Sequence, residues 1–245
     1  MPPQAPGPPA ATPSTPQQPL TPLPAPPPGE HPAATPAVTV ILDPAHGGPD
    51  SGAHGAPSEE GAVEKDLVLA IALSMRRELE RQGVRVVLTR QNDTAVSIND
   101  RAAVANGVGA GFFVSLHVGS TGEANTAETY SFGTPQGGAP PAFTPRPPGT
   151  EAVRWDDAQT GYVVASRRLA ELVQVELAQK LPRSADVPQF AEVRQLRVVA
   201  HPAVAIELSR VAEENPGALE KTAAPLAAAL VRAITAYRQP LQGKP

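Results

Sequence analysis

His46, Glu64, His117 and Glu207 are the residues whose types and settings could do chemistry together. Two imidazoles and a carboxylate are a recurring ligand set in zinc hydrolases, because neutral nitrogens and a single negative charge leave the metal strongly Lewis acidic and one position open. A further carboxylate outside the ligand set then serves as base. It takes a proton from a water whose pKa the metal lowers toward about 7 and passes it to a leaving amine. The chain contains no cysteine, which excludes disulfide frameworks, thiolate zinc clusters, iron–sulfur centres and cysteine nucleophiles. Any metal must therefore be held by His, Asp or Glu.

These four residues matter because of the elements that precede them. From Val38 onward, short β-branched runs alternate with longer amphipathic stretches, the order of an α/β domain with a mostly parallel sheet. In such sheets ligands gather beyond the carboxyl ends of the strands. Val38–Leu42 reads as the first strand and runs straight into Asp43-Pro-Ala-His46-Gly-Gly48. Arg85–Thr89 reads as the second, Phe112–Leu116 as a buried third leading into His117, and Ala127–Phe132 as a fourth. Glu64–Gln82 carries Leu67, Ile71, Met75 and Leu79 at four-residue spacing, which predicts a helix that opens on Glu64 and stops at Gly83. Ser97 is placed to cap a helix bearing Ile98, Ala102 and Ala105. Gly161–Lys180 and Pro216–Tyr237 predict two more helices, while Leu196–Val199 and Ala203–Leu208 read as strands, the last ending in Glu207.

Singly, each residue has a plainer role. His46 suits a turn, His117 a core histidine, and Glu64 the dipole of a helix N-terminus. Glu207 follows Pro202-Ala-Val-Ala-Ile206, where burying a lone carboxylate is costly unless something pairs with it. Independent plain causes do not place all four at one edge of one sheet. His54 is weighed as a spare ligand or substrate contact, and His201 as a loop residue. A Ser115–His117 nucleophile pair is set aside, because the two alternate onto one face of a strand without a nucleophile elbow. Arg90 and Arg101 read as scaffold ion pairs.

Composition divides the chain further. Of 31 prolines, 15 lie between Met1 and Ala37 and 6 between Thr134 and Gly149. Residues 1–37 therefore read as a disordered, polyproline-rich tether, 38–238 as one catalytic domain with a Gly- and Pro-rich insertion at 134–157, and 239–245 as a flexible tail. Twenty basic and 24 acidic side chains give a net charge of −4 without long runs of one sign, so there is no electrostatic footprint for nucleic acid. No transmembrane stretch is visible, and the first 30 residues lack the charged start and apolar run of a secretory signal.

Taken in order, Asp43-Pro-Ala-His46-Gly-Gly48, Asp50-Ser-Gly-Ala53, Glu64-Lys-Asp66, Thr89-Arg90 with Asp93, Arg101 with Ala105-Asn106, Ser115-Leu-His117 and Pro202-Ala-Val-Ala-Ile-Glu207 resemble the zinc-dependent N-acetylmuramoyl-L-alanine amidases of the amidase-3 type. The resemblance covers about Val38 to Tyr237. It implies a twisted, mostly parallel sheet flanked by helices on both faces, with Zn2+ held by His46, Glu64 and His117 and with Glu207 as the catalytic carboxylate. The implied reaction is hydrolysis of the amide between N-acetylmuramic acid and L-alanine in peptidoglycan, in a periplasmic or extracellular setting. Two departures stand out: Val118-Gly-Ser120 follows His117 where the family usually has a nearby Asn, and Leu208-Ser-Arg210 follows Glu207. The competing expectations are a zinc peptidase or deacetylase acting on another amide, and a non-catalytic wall-binding module on the same fold.

Overall fold

A computed structural model describes residues 38–55, 62–133, 155–209 and 221–239. The expected tether, most of the 134–157 insertion and the segment beyond Gln239 lie outside the described residues. Six strands form one sheet: β1 (Thr39–Pro44), β2 (Arg85–Leu88), β3 (Phe112–Val118), β4 (Ala127–Phe132), β5 (Gln189–Ala191) and β6 (Ala203–Leu208), in the order β2-β1-β3-β6-β4-β5. The strands β2, β1, β3 and β6 run parallel. β4 runs antiparallel to β6 and parallel to β5, so one edge of the sheet is reversed.

The helices α1 (Glu64–Arg81), α2 (Ile98–Asn106), α3 (Val163–Lys180), α4 (Arg194–Arg197) and α5 (Ala223–Arg238) cover both faces. α1, α3 and α5 bury one apolar layer with Val40, Leu42, Val114, Leu116, Val204 and Ile206 of the sheet. From α1 this layer takes Leu67, Val68, Ile71, Met75 and Leu79, each worth about 1.5–3 kcal/mol of transfer free energy when fully buried. On the other face Ile41, Phe113, Ala203 and Ala205 pack with Ala105 of α2, and with Leu196 and Val199 in and just after α4. Alternation along the strands thus sends even- and odd-numbered residues of β1 and β3 to different layers.

The expected strand at Leu196–Val199 is instead the short helix α4 and the turn after it. Three apolar residues around Arg197 satisfy a buried helical turn as well as a strand, and here Leu196 and Val199 reach the core from one side. Ser97 caps α2 by accepting from the Asp100 N–H. α1 ends before Gly83, whose φ of +78° an L side chain rarely adopts.

Candidate functional site

In this strand order β1 is flanked by β2 on one side and β3 on the other, so the chain changes direction across the sheet between β1 and β3, and the carboxyl ends of these two strands are where ligands gather in such sheets. His46 lies two residues past β1 and His117 is the penultimate residue of β3. Glu64 enters from above as the first residue of α1. The three side chains offer ligand atoms that all lie within 4.8 Å of one another.

One carboxylate is the centre of the group. Glu64 Oε2 is 3.0 Å from His46 Nε2 and Oε1 is 3.1 Å from His117 Nδ1. Backbone amides fix the same carboxylate: Ala53 N–H donates to Oε2 at 2.9 Å and Val118 N–H to Oε1 at 3.1 Å. Burial pushes the Glu64 carboxyl up, but His117, His46 and the Ala53 amide outweigh it and hold it well below the usual carboxylate range. The bond to Glu64 raises His46, against the opposing effect of its own burial.

Each histidine is held from behind. His46 has a φ of +60°, and its carbonyl accepts from Arg101 Nη2 at 2.5 Å. The same guanidinium donates to the Pro44 carbonyl and to Asp43 Oδ1, each at 2.7 Å, and to the Val96 carbonyl at 3.0 Å. Arg90 donates to the carbonyls of Pro44, Ala45, Lys65 and Asn92. The expectation of scaffold ion pairs therefore holds for Arg101, through Asp43, whereas Arg90 grips main-chain carbonyls. Together they fasten the turn that presents His46.

His117 is reached through Ser115. The Ser115 hydroxyl donates to the fully buried Asp43 at 2.9 Å and lies 3.3 Å from His117 Nε2. With the hydroxyl proton given to Asp43, Ser115 Oγ can accept from an Nε2–H, so that a cation can take Nδ1 in place of its contact with Glu64. Ser115 is itself fully buried, so it is a link between acid and imidazole and no nucleophile.

Two glycines make room for the group. A Cβ on Gly52, at φ +67°, would come within 2.5 Å of Glu64 Oε2 and 2.6 Å of His46 Cδ2. A Cβ on Gly119 would collide with the Glu207 carboxylate. The absence of a side chain at Gly119 thus leaves the space that the Glu207 carboxylate occupies.

Glu207 is the register partner of His117 on the neighbouring strand, so both side chains stand on one face. Among the described residues no hydrogen bond or ion pair engages its carboxylate. Burial raises its pKa, aided by Glu64 and Glu128 and opposed by His117. His54 stands apart and exposed, its Nε2 2.7 Å from the Ser51 hydroxyl. His201 is buried at the opposite edge with Nε2 2.9 Å from the Ala105 carbonyl.

The donors fit a small divalent cation. Tetrahedral zinc with bonds near 2.0–2.2 Å sets its ligand atoms about 3.3 Å apart, close to the observed nitrogen–oxygen spacings. His46 Nδ1 also lies 2.9 Å from Asp50 Oδ1, but it is buried and off the line that a ring N–H bond requires.

A family model described as N-acetylmuramoyl-L-alanine amidase matches residues 40–236. The chain is 46% identical over 105 residues to the sporulation-specific N-acetylmuramoyl-L-alanine amidase of Bacillus subtilis (strain 168), a match covering 42% of this chain and 38% of that protein. It is 45% identical over 78 residues to N-acetylmuramoyl-L-alanine amidase AmiA of Escherichia coli (strain K12), covering 32% of this chain and 26% of that protein. The matches to these curated relatives thus span well under half of their length. Among solved structures, the amidase AmiC2 of Nostoc punctiforme is similar with a TM-score of 0.58 at 27% identity, over 83% of this chain and 98% of that one. An amidase from Clostridium difficile 630 is similar with a TM-score of 0.58 at 29% identity, over 85% and 99%.

Proposed function

The chain belongs to the N-acetylmuramoyl-L-alanine amidase family, and from that premise we propose that it hydrolyses the amide joining the lactyl group of N-acetylmuramic acid to the L-alanine of the stem peptide in peptidoglycan. His46, Glu64 and His117 would hold a zinc ion, and Glu207 would carry the proton. A divalent cation in that position supplies Lewis acidity, polarising a carbonyl and acidifying water.

The observation that carries this reading is the pairing of a three-donor cluster with a free acid. Both imidazoles converge on the two oxygens of Glu64, while Glu207 stands one strand away, half-buried and unengaged among the described residues. A carboxylate with a raised pKa and no partner is suited to accept a proton and release it again. Glu207 takes one proton from the attacking water as the new C–O bond forms. It delivers that proton to nitrogen as the C–N bond breaks, giving a carboxylic acid and an amine, which settle as carboxylate and ammonium. Glu64 is unsuited to that part, since its two oxygens are already shared among two rings and two amides.

The cell envelope is the corresponding site of action, because the substrate is there. The test is release of stem peptides from purified peptidoglycan by the zinc-loaded protein. Glu207→Gln is expected to abolish release while zinc remains bound at about one per chain. Release that survives this substitution refutes the mechanism, and intact muropeptides with the wild type refute the substrate.

A further inference from the structure

We propose that Glu128 receives the amine uncovered by hydrolysis, so that the peptide half of the substrate lies over β4 and the acyl half over the carboxyl ends of β1 and β3. The inference rests on the amidase reading above and adds the direction in which substrate crosses the sheet.

The argument begins with strand register. His117 on β3 pairs with Glu207 on β6, and Glu207 pairs in turn with Glu128 on β4. Paired residues project to the same face, and adjacent strands are about 4.8 Å apart, so ring, acid and second acid form one row across the sheet. The row behind it is Asp43, Ser115, Ala205 and Tyr130, and the next holds Ile41, Phe113 and Ala203. This face therefore changes from apolar core to polar rim within two residues. β4 contributes to the rim through its first half because it runs opposite to β6.

Proton traffic then fixes the order of the substrate atoms. Glu207 delivers its proton to nitrogen, so nitrogen must lie against Glu207 while the acyl carbon faces the cluster of His46, Glu64 and His117. The next group along the row, on the side away from that cluster, is Glu128.

Glu128 is also held in place. The Tyr130 hydroxyl donates to its Oε2 at 2.6 Å, and the Tyr130 ring packs against the second core layer. Burial and the bond to Glu128 both push the Tyr130 phenol up, which keeps it a donor. Among the described residues no Lys, Arg or His forms an ion pair with Glu128 or Glu207. With two neutral imidazoles and a divalent cation, the carboxylates of Glu64, Glu207 and Glu128 leave one negative charge, which a primary ammonium neutralises.

The test compares two probes on the zinc-loaded protein by titration calorimetry: an alanyl dipeptide with a free α-amine and the same dipeptide N-acetylated. The wild type is expected to prefer the free amine by about tenfold, as for a hydrogen bond to a charged group. Glu128→Gln is expected to remove the preference by weakening the free-amine probe alone. Tyr130→Phe, which keeps the carboxylate but frees it, is expected to reduce the preference to about threefold, and it decides the matter if Glu128→Gln does not fold. A preference that persists in both variants overturns the proposal, as does an equal fall for both probes, which marks a structural role. A wild type that cleaves muropeptides yet binds the two probes alike overturns this inference and leaves the amidase reading standing. If the wild type leaves muropeptides intact, the amidase reading itself has failed.

Discussion

Ser115→Ala isolates what the buried link between Asp43 and His117 contributes. In the folded protein the Ser115 hydroxyl is one of three donors to Asp43, beside Thr89 at 2.6 Å and Arg101 at 2.7 Å. Asp43 is fully buried, so no water replaces the lost donor, and stability should fall by about 1–3 kcal/mol. His117 also loses the acceptor that keeps its proton on Nε2, so its Nδ1 is no longer reserved for a cation. Loss of such outer hydrogen bonds typically weakens metal binding ten- to a hundredfold. Urea unfolding of the metal-free protein measures the first effect, and zinc titration against a competing chelator measures the second. A zinc affinity within about twofold of wild type, alongside the expected loss of stability, would refute the claim that Ser115 orients the ring.

The two glycines should separate metal binding from turnover. Gly52→Ala places a methyl group against Glu64 and His46 at a positive φ, so zinc binding should fall at least tenfold, checked by the same chelator competition. Gly119→Ala presses chiefly on the Glu207 carboxylate and on none of the three zinc-binding side chains, so kcat should drop at least tenfold with zinc stoichiometry intact, and a loss of metal would contradict that assignment. In the metal-free protein the raised pKa of His46 contributes stability that is complete below about 6.5 and is lost as pH rises through the raised value. The depressed pKa of Glu64 contributes stability that is present above about 4.5 and is lost as pH falls through the lowered value. Metal-free melting temperature should therefore be higher at pH 5.5 than at pH 8, while zinc affinity should weaken about tenfold per pH unit on acidification through the His46 pKa.

Much of this site was legible because it sits where simple periodicities end. The apolar runs before His46, His117 and Glu207 mark buried parallel strands, and the four-residue spacing behind Glu64 marks the helix that presents it. Local pattern carried less elsewhere. Leu196–Val199 is too short for its apolar content to distinguish a strand from a helical turn, and tertiary packing chose the turn. β5 is three residues with no buried side chain, so it has no hydrophobic alternation to read. Glu128 could not be recognised as a neighbour of the site, because its place depends on β4 running against β6 and that orientation is set by pairing across some 79 positions. Arg101 does pair with Asp43, but the main-chain carbonyls that it and Arg90 also grip leave no trace in residue types.

The reversal of β4 also determines where length can vary. β4 leaves the sheet at Phe132 and Gly133, at the end remote from His117, and a 3-10 helix begins at Trp155. Gln159 of that helix clasps the carbonyls of Val199 and His201, at the start of β6. Both stumps of the Gly- and Pro-rich insertion are therefore anchored on the blunt side of the sheet, opposite the reacting edge. The spacing of the two imidazoles, Glu64 and Glu207 is set instead by β1, α1, β3 and β6, none of which adjoins that insertion in the chain.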